Sequence, residues 1–222
     1  MRHLALSVAV LLCAAVPAQG AAPRILVTGD SMMRGVDVWL EAELERIQEV
    51  TFLRDIRVGS ALTKHPWARI ALEQVPLHQP DATVVFMGAN DGFDLPGARC
   101  CRKPWVSRYE RRVRRMIQIY SRGGSAKVYW LTMPAAEFGF RRRLFPRING
   151  ALRRAVEASG PHAHLVDAWS VFTPGGLYRR TMLWNGAVVE VRSPDGVHLD
   201  GSGDPIAAEL IRDAMLEDGV LP

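Results

Sequence analysis

Ile25-Leu26-Val27-Thr28-Gly29-Asp30-Ser31 decides the fold: a short apolar run closed by a Gly-Asp-Ser turn. The run is too short for a helix and lacks polar alternation, so it reads as a strand covered on both faces. Runs rich in Val, Ile and Phe recur at Glu49–Arg57, Thr83–Met87, Val128–Thr132 and His164–Val166. Between them lie stretches of helical character at Val36–Gln48, Pro66–Val75, Pro104–Tyr120, Phe145–Ser159 and Pro205–Glu217. Prolines 104, 146 and 205 sit near the expected helix starts, where the missing N–H is least harmful. Strands alternating with helices predict an α/β domain with a mostly parallel sheet. The alternation stops between Phe172 and Pro194, where Trp184-Asn185-Gly186-Ala187 between apolar flanks predicts a hairpin.

In an open parallel sheet, ligands collect at the carboxyl ends of the strands. Gly29-Asp30-Ser31 ends the first strand and Val58-Gly59-Ser60-Ala61 follows the second. Gly88-Ala89-Asn90-Asp91 ends the third, and Asp195-Gly196-Val197-His198 leads into the last helix. These are the parts of a Ser-His-Asp site. Ser31 is the candidate nucleophile, a weak one until a base takes its proton. His198 is the candidate base, and Asp195, three residues earlier, can fix its tautomer. Gly196 is the residue that lets so tight a turn close. Taken singly, each has a plainer reading: Ser31 as a helix cap, Asn90 and Asp91 as turn residues, His198 as a surface histidine. Capping and turn chemistry do not predict a distant Asp-x-x-His, so the joint reading is catalytic.

The four segments, in this order and spacing, resemble the four blocks of the SGNH (GDSL) hydrolases across nearly all of the chain after residue 20. Gly-Asp-Ser-Met-Met and Asp-Gly-Val-His-Leu further resemble an exported bacterial subfamily with GDSMM, GAND and DGVH blocks. The resemblance implies a three-layer α/β/α sandwich of the flavodoxin-like kind with about five parallel strands, a single domain over 21–222. It also implies an oxyanion hole built from the Ser31 backbone N–H, the Asn90 side-chain amide and a backbone N–H of the turn after the second strand. In that turn the chain departs from the family pattern. The usual glycine falls on Ala61, with Gly59 two residues early, so both are candidate donors. Met33 stands where the second glycine of a Gly-x-Ser-x-Gly elbow would be, which sets the chain apart from α/β-hydrolases.

Residues 1–20 read as a cleaved export signal: Arg2 and His3, an apolar Leu4–Val16, then small residues. The apolar stretch is shorter than the about 20 residues needed to span a bilayer. A periplasmic or secreted protein without a transmembrane anchor is expected. The net charge of +5 comes mainly from arginines at 108–115 and 141–143. They read as solvated helix faces in preference to attraction toward an acidic polymer or an anionic membrane. No zinc-finger spacing, ribonucleoprotein motif or basic heptad array supports nucleic acid. The remaining histidines are scattered without ligand-like partners, so neither metal nor cofactor is expected. Adjacent Cys100 and Cys101 leave three options open: a strained ring, pairing with another chain, or free thiols.

For the substrate, the loop Asp94–Trp105 and the hairpin near 181–191 are the expected cleft walls, with Trp67, Trp105 and Trp184 as sugar-stacking faces or as core packing. The basic segment Pro96–Pro104 offers no channel for a long acyl chain. The expectation is therefore an esterase acting on a small acyl group, acetate above all, on a polar or anionic envelope glycan. Two other readings stand beside it: an O-acyltransferase using the same triad, and a non-catalytic envelope binding or scaffold protein. Oligomeric state is not legible in the chain.

Overall fold

A computed structural model describes residues 21–222, so the expected export signal lies outside the described residues. Five parallel strands form the central sheet: β1 (Arg24–Gly29), β2 (Thr51–Ile56), β3 (Ala82–Phe86), β4 (Lys127–Leu131) and β5 (Ala163–Val166). Their order, β2-β1-β3-β4-β5, is the flavodoxin-like doubly wound order. The chain leaves β1 for one side of the sheet and returns to β3 on the other. A crevice therefore opens between the carboxyl ends of β1 and β3.

Burial follows position in that order. Ile25, Leu26 and Val27 of β1 and all of β3 are buried on both faces, whereas edge strand β2 is only partly covered. One helical layer packs α1 (Val36–Glu45) against α6 (Gly203–Glu217). The other packs α2 (Trp67–His78), α3 (Lys103–Tyr120) and α4 (Arg141–Glu157) side by side. Helix α3 turns Trp105, Tyr109, Val113, Met116, Ile117 and Tyr120 inward at three- and four-residue spacing, which makes one apolar stripe.

Several elements depart from expectation. Helix α4 begins at Arg141, so Pro146 lies inside it rather than at its start. Pro146 is on the exposed face, where water can take the Arg142 carbonyl that lacks its intrahelical donor. Pro76 likewise lies within α2. A short helix α5 (Ala168–Phe172), capped by the Asp167 carboxylate on Ser170 N, had no sequence expectation. The hairpin forms as read, β6 (Thr181–Trp184) against β7 (Ala187–Glu190). Cys100 and Cys101 are joined to each other by a disulfide. No helix among the described residues is long and apolar enough to cross a membrane.

Candidate active site

Gly29 ends β1 with φ +144°, and a Cβ there would lie 2.2 Å from the Phe86 carbonyl oxygen. Only glycine allows β1 and β3 to approach so closely at their tips. The chain then turns sharply: Asp30 caps a single 3-10 turn, Ser31–Met33, by accepting from Met32 N at 2.9 Å. Ser31 is thus not the cap. Its Oγ is turned outward, 2.8 Å from His198 Nε2, and His198 Nδ1 lies 2.5 Å from Asp195 Oδ2. Residues 164 positions apart in the chain, Ser31 and Asp195, are linked through one imidazole.

The 195–198 loop is held by its own aspartate. Asp195 Oδ1 accepts from Val197 N at 2.8 Å and His198 N at 3.0 Å, leaving Oδ2 for the ring. Partial burial opposes its ionisation, but the His198 ring and these two amides prevail, and its pKa falls below the usual carboxylate value. Gly196 closes the turn at φ +69°, and a Cβ there would press to 2.7 Å from Glu137 Cβ.

Beneath the loop lies a residue with no sequence signal, the fully buried Arg192. Its guanidinium donates to the carbonyls of Ala135 (2.9 Å), Val197 (2.8 Å) and His198 (3.3 Å), and stacks 4.8 Å from the Tyr178 ring. Burial pulls its pKa down to about 10, still high enough to keep the charge. Arg192 thus clamps the backbone that carries the imidazole.

Two buried carboxylates join the other loops. Asp30 Oδ2 accepts from Gly88 N at 2.9 Å and Ala89 N at 3.1 Å, coupling the serine turn to the loop after β3. Asp91 accepts from Thr63 N (2.8 Å), Thr63 Oγ1 (2.7 Å) and Tyr109 Oη (2.9 Å). It pins the segment after β2 to the same loop. Burial pushes the pKa of Asp91 up to about 6, against the lowering effect of its bonds to Thr63 and Tyr109. Within this frame the Asn90 side-chain nitrogen is buried with no hydrogen-bond partner among the described residues. The Ser31 N–H opens the 3-10 turn, where a backbone donor has no intrahelical acceptor.

The 59–61 turn separates its two candidates. Ala61 lies outside the left-handed region, so alanine fits there without strain, but its N–H donates to His65 Nδ1 at 3.0 Å. Gly59 takes φ +77°, and its N–H donates to no protein group among the described residues.

The expected stacking faces are largely core. Trp67 is 1% and Trp105 0% exposed, both within the hydrophobic core; Trp184 on β6 is half-buried. Open aromatic rings lie elsewhere: Trp39 on α1, Phe93 after β3, and two on the segment 135–141 after β4. This segment is fastened to both sides of the site: Glu137 N donates to Gly196 O at 2.9 Å and Arg141 Nε to Ala89 O at 2.7 Å. It holds Phe138 beside Gly196 and Phe140 beside Gly92, with these rings 60% and 47% exposed. Near the serine turn, Asp204 of α6 lies under Gly35. Burial, then the charges of Asp200 and Asp37, push its carboxyl up to about 7.

A family model described as "Protein of unknown function (DUF459)" matches residues 24–214. No curated protein matches the sequence. Among solved structures, a lipase/acylhydrolase from Enterococcus faecalis is 20% identical, with a TM-score of 0.63 over 90% of this chain and 97% of its own. The C-terminal catalytic domain of Streptococcus pneumoniae peptidoglycan O-acetyltransferase A is 16% identical, with a TM-score of 0.56 over 91% and 98%. A Corynascus thermopiles carbohydrate esterase family 2 enzyme with its carbohydrate-binding domain is 17% identical, with a TM-score of 0.61 over 91% and 68%. At these identities the likeness is one of fold.

Proposed function

The chain belongs to the DUF459 family and has the fold of the SGNH hydrolases, and from that premise we propose that it is a serine esterase. Its substrate is a small acyl ester, acetyl above all, carried on a cell-envelope glycan. The observation that carries this reading is the continuous hydrogen-bond line Ser31–His198–Asp195, at 2.8 and 2.5 Å, beside an unpartnered Asn90 amide.

In this mechanism Ser31 Oγ attacks the ester carbonyl carbon while His198 Nε2 takes its proton. Asp195 holds the Nδ1 proton and stabilises the imidazolium without itself becoming protonated. The tetrahedral oxyanion meets Asn90 Nδ2, Ser31 N–H and a third donor of the 59–61 turn. At rest the free amide there is Gly59; Ala61 becomes a donor only when His65 releases it. Collapse expels the alcohol, which takes the proton from His198, and leaves an acyl group on Ser31. Water, deprotonated by His198, then releases the carboxylic acid and restores the serine.

The same acyl-enzyme can pass its acyl group to a sugar hydroxyl in place of water, which makes O-acyl transfer the second reading. Phe138, beside the 195–198 loop, and Phe140, beside the loop that carries Asn90, would give an acceptor ring a face to rest on. Hydrolysis of p-nitrophenyl esters of two to twelve carbons by the wild type and Ser31→Ala tests the first reading. Activity on acetate esters that disappears in the variant supports it, and a preference for long chains overturns the acetyl assignment. Product analysis with a glycan acceptor present separates transfer from hydrolysis. We also place the protein in the periplasm or outside the cell; a mature protein that retains residues 1–20 would overturn this.

A further inference from the structure

Helices α3 and α4 together carry twelve Lys and Arg residues and two carboxylates. Their net charge is +10 while the whole chain is +5, so the rest of the chain sums to −5. This is a polarised molecule rather than a mildly basic one. Arg154 pairs with Glu110 and Arg153 with Asp167; the other ten cations meet no carboxylate among the described residues.

These charges line open grooves, all outside the triad. Between α3 and the end of α4 run Arg111, Arg114 and Arg115 with Gln118 and Ser159. Toward α2, the groove is walled by Arg108, Arg111, Arg112 and Arg115. Near the start of α3, Arg102, Lys103 and Arg147 line a third. Two of them lie on the α4 side of α3 and one on its α2 side, so cationic grooves flank a helix of about 27 Å on both sides. The same helical layer reaches the catalytic edge at Arg141, the first residue of α4, which donates to Ala89 O in the loop that holds Asn90.

We propose that this α3/α4 layer is a docking surface for a linear acidic polysaccharide bearing carboxylates. Arginine forks take carboxylates bidentately, and a row of them suits a repeating anion better than a single one. An anionic membrane fits less well, because α3 and α4 expose no large apolar side chain to enter the lipid. Single-stranded nucleic acid fits less well too, since the aromatic rings of both helices, Trp105, Tyr109, Tyr120 and Phe145, are buried and give bases nothing to stack on. Docking would bring a polymer's esters to the neighbouring cleft. In that consequence alone the inference rests on the esterase reading.

The test is titration of the purified protein with polygalacturonate, with neutral pullulan as control and with salt varied. Binding is expected to polygalacturonate alone, weakening about tenfold or more between low and physiological salt. The triple substitution Arg111→Gln, Arg114→Gln, Arg115→Gln should weaken binding at least about tenfold at low salt. Its melting temperature and its turnover of p-nitrophenyl acetate should match the wild type. No binding, equal binding to pullulan, or an unaffected triple variant overturns the proposal. Tighter binding to phosphatidylglycerol vesicles or duplex DNA than to polygalacturonate also overturns it and reassigns the surface. Binding without ester turnover keeps the docking surface and removes the esterase reading, so the two can fail separately.

Discussion

The Asp30 carboxylate accepts the amide proton of Gly88 at 2.9 Å, and this bond ties the Ser31 turn to the loop that carries Asn90. Its partner oxygen holds Met32 N, so one buried side chain fixes both the direction of Ser31 and the position of Asn90. Asp30→Ala would orphan the buried amides of Met32, Gly88 and Ala89. At about 1–3 kcal/mol for each unsatisfied donor, urea unfolding should show a loss of several kcal/mol. A stability change within error would mean that the loops are held by other contacts.

Asn90 separates activity from stability. Its side-chain nitrogen has no partner to lose, so Asn90→Ala should leave the melting temperature unchanged or slightly raised. The kcat on acetyl esters should fall about 100- to 1,000-fold with KM little altered, as for other oxyanion donors. Loss of fold in this variant would contradict the assignment.

The exposed rings at the mouth make the opposite prediction. Phe138→Ala and Phe140→Ala remove rings that are largely in water, so stability should hold. KM and acyl-chain preference should shift while the Ser31 labelling rate by a small fluorophosphonate stays near wild type. Unaltered specificity in both variants would remove segment 135–141 from the substrate site.

Asp204 gives a pH signature. Its folded pKa, about 7, lies above the ordinary 3.8, so the favourable contribution of its protonated form is present at low pH and is lost as pH rises through about 4 to 7. Asp204→Asn should therefore raise the melting temperature at about pH 8.5 and change it little at about pH 4. An equal shift at both values would mean that the carboxyl does not titrate in this window.

The chain disclosed some of this and hid the rest for physical reasons. Strands β1, β3 and β4 were legible because central strands of a parallel sheet are mostly apolar, and the geometry brings together Ser31, His198 and Asp195, the residues singled out from the motif set. Arg192 was invisible: a lone arginine in sequence says nothing of three carbonyls brought to it from two loops. The roles of Asp30 and Asp91 were hidden likewise, because each links segments dozens of residues apart. Trp67 and Trp105 stood open between stacking and packing because an indole's composition does not tell which side of its helix it faces; both turn out to be core. Pro146 misplaced the start of α4, since a proline on a hydrated face does not end a helix.

The segment between Ala135 and Arg141 is fastened to the Arg192 clamp and the 195–198 loop through backbone atoms, the Ala135 carbonyl and the Glu137 amide. The exposed Phe138 and Phe140 side chains are thus released from architectural duty. If these rings contact substrate as proposed, a lineage that exchanges Phe138 or Phe140 changes what the enzyme accepts while the reacting groups stay where they are. In this fold, diversification of substrate and preservation of chemistry are assigned to different atoms of the same few residues.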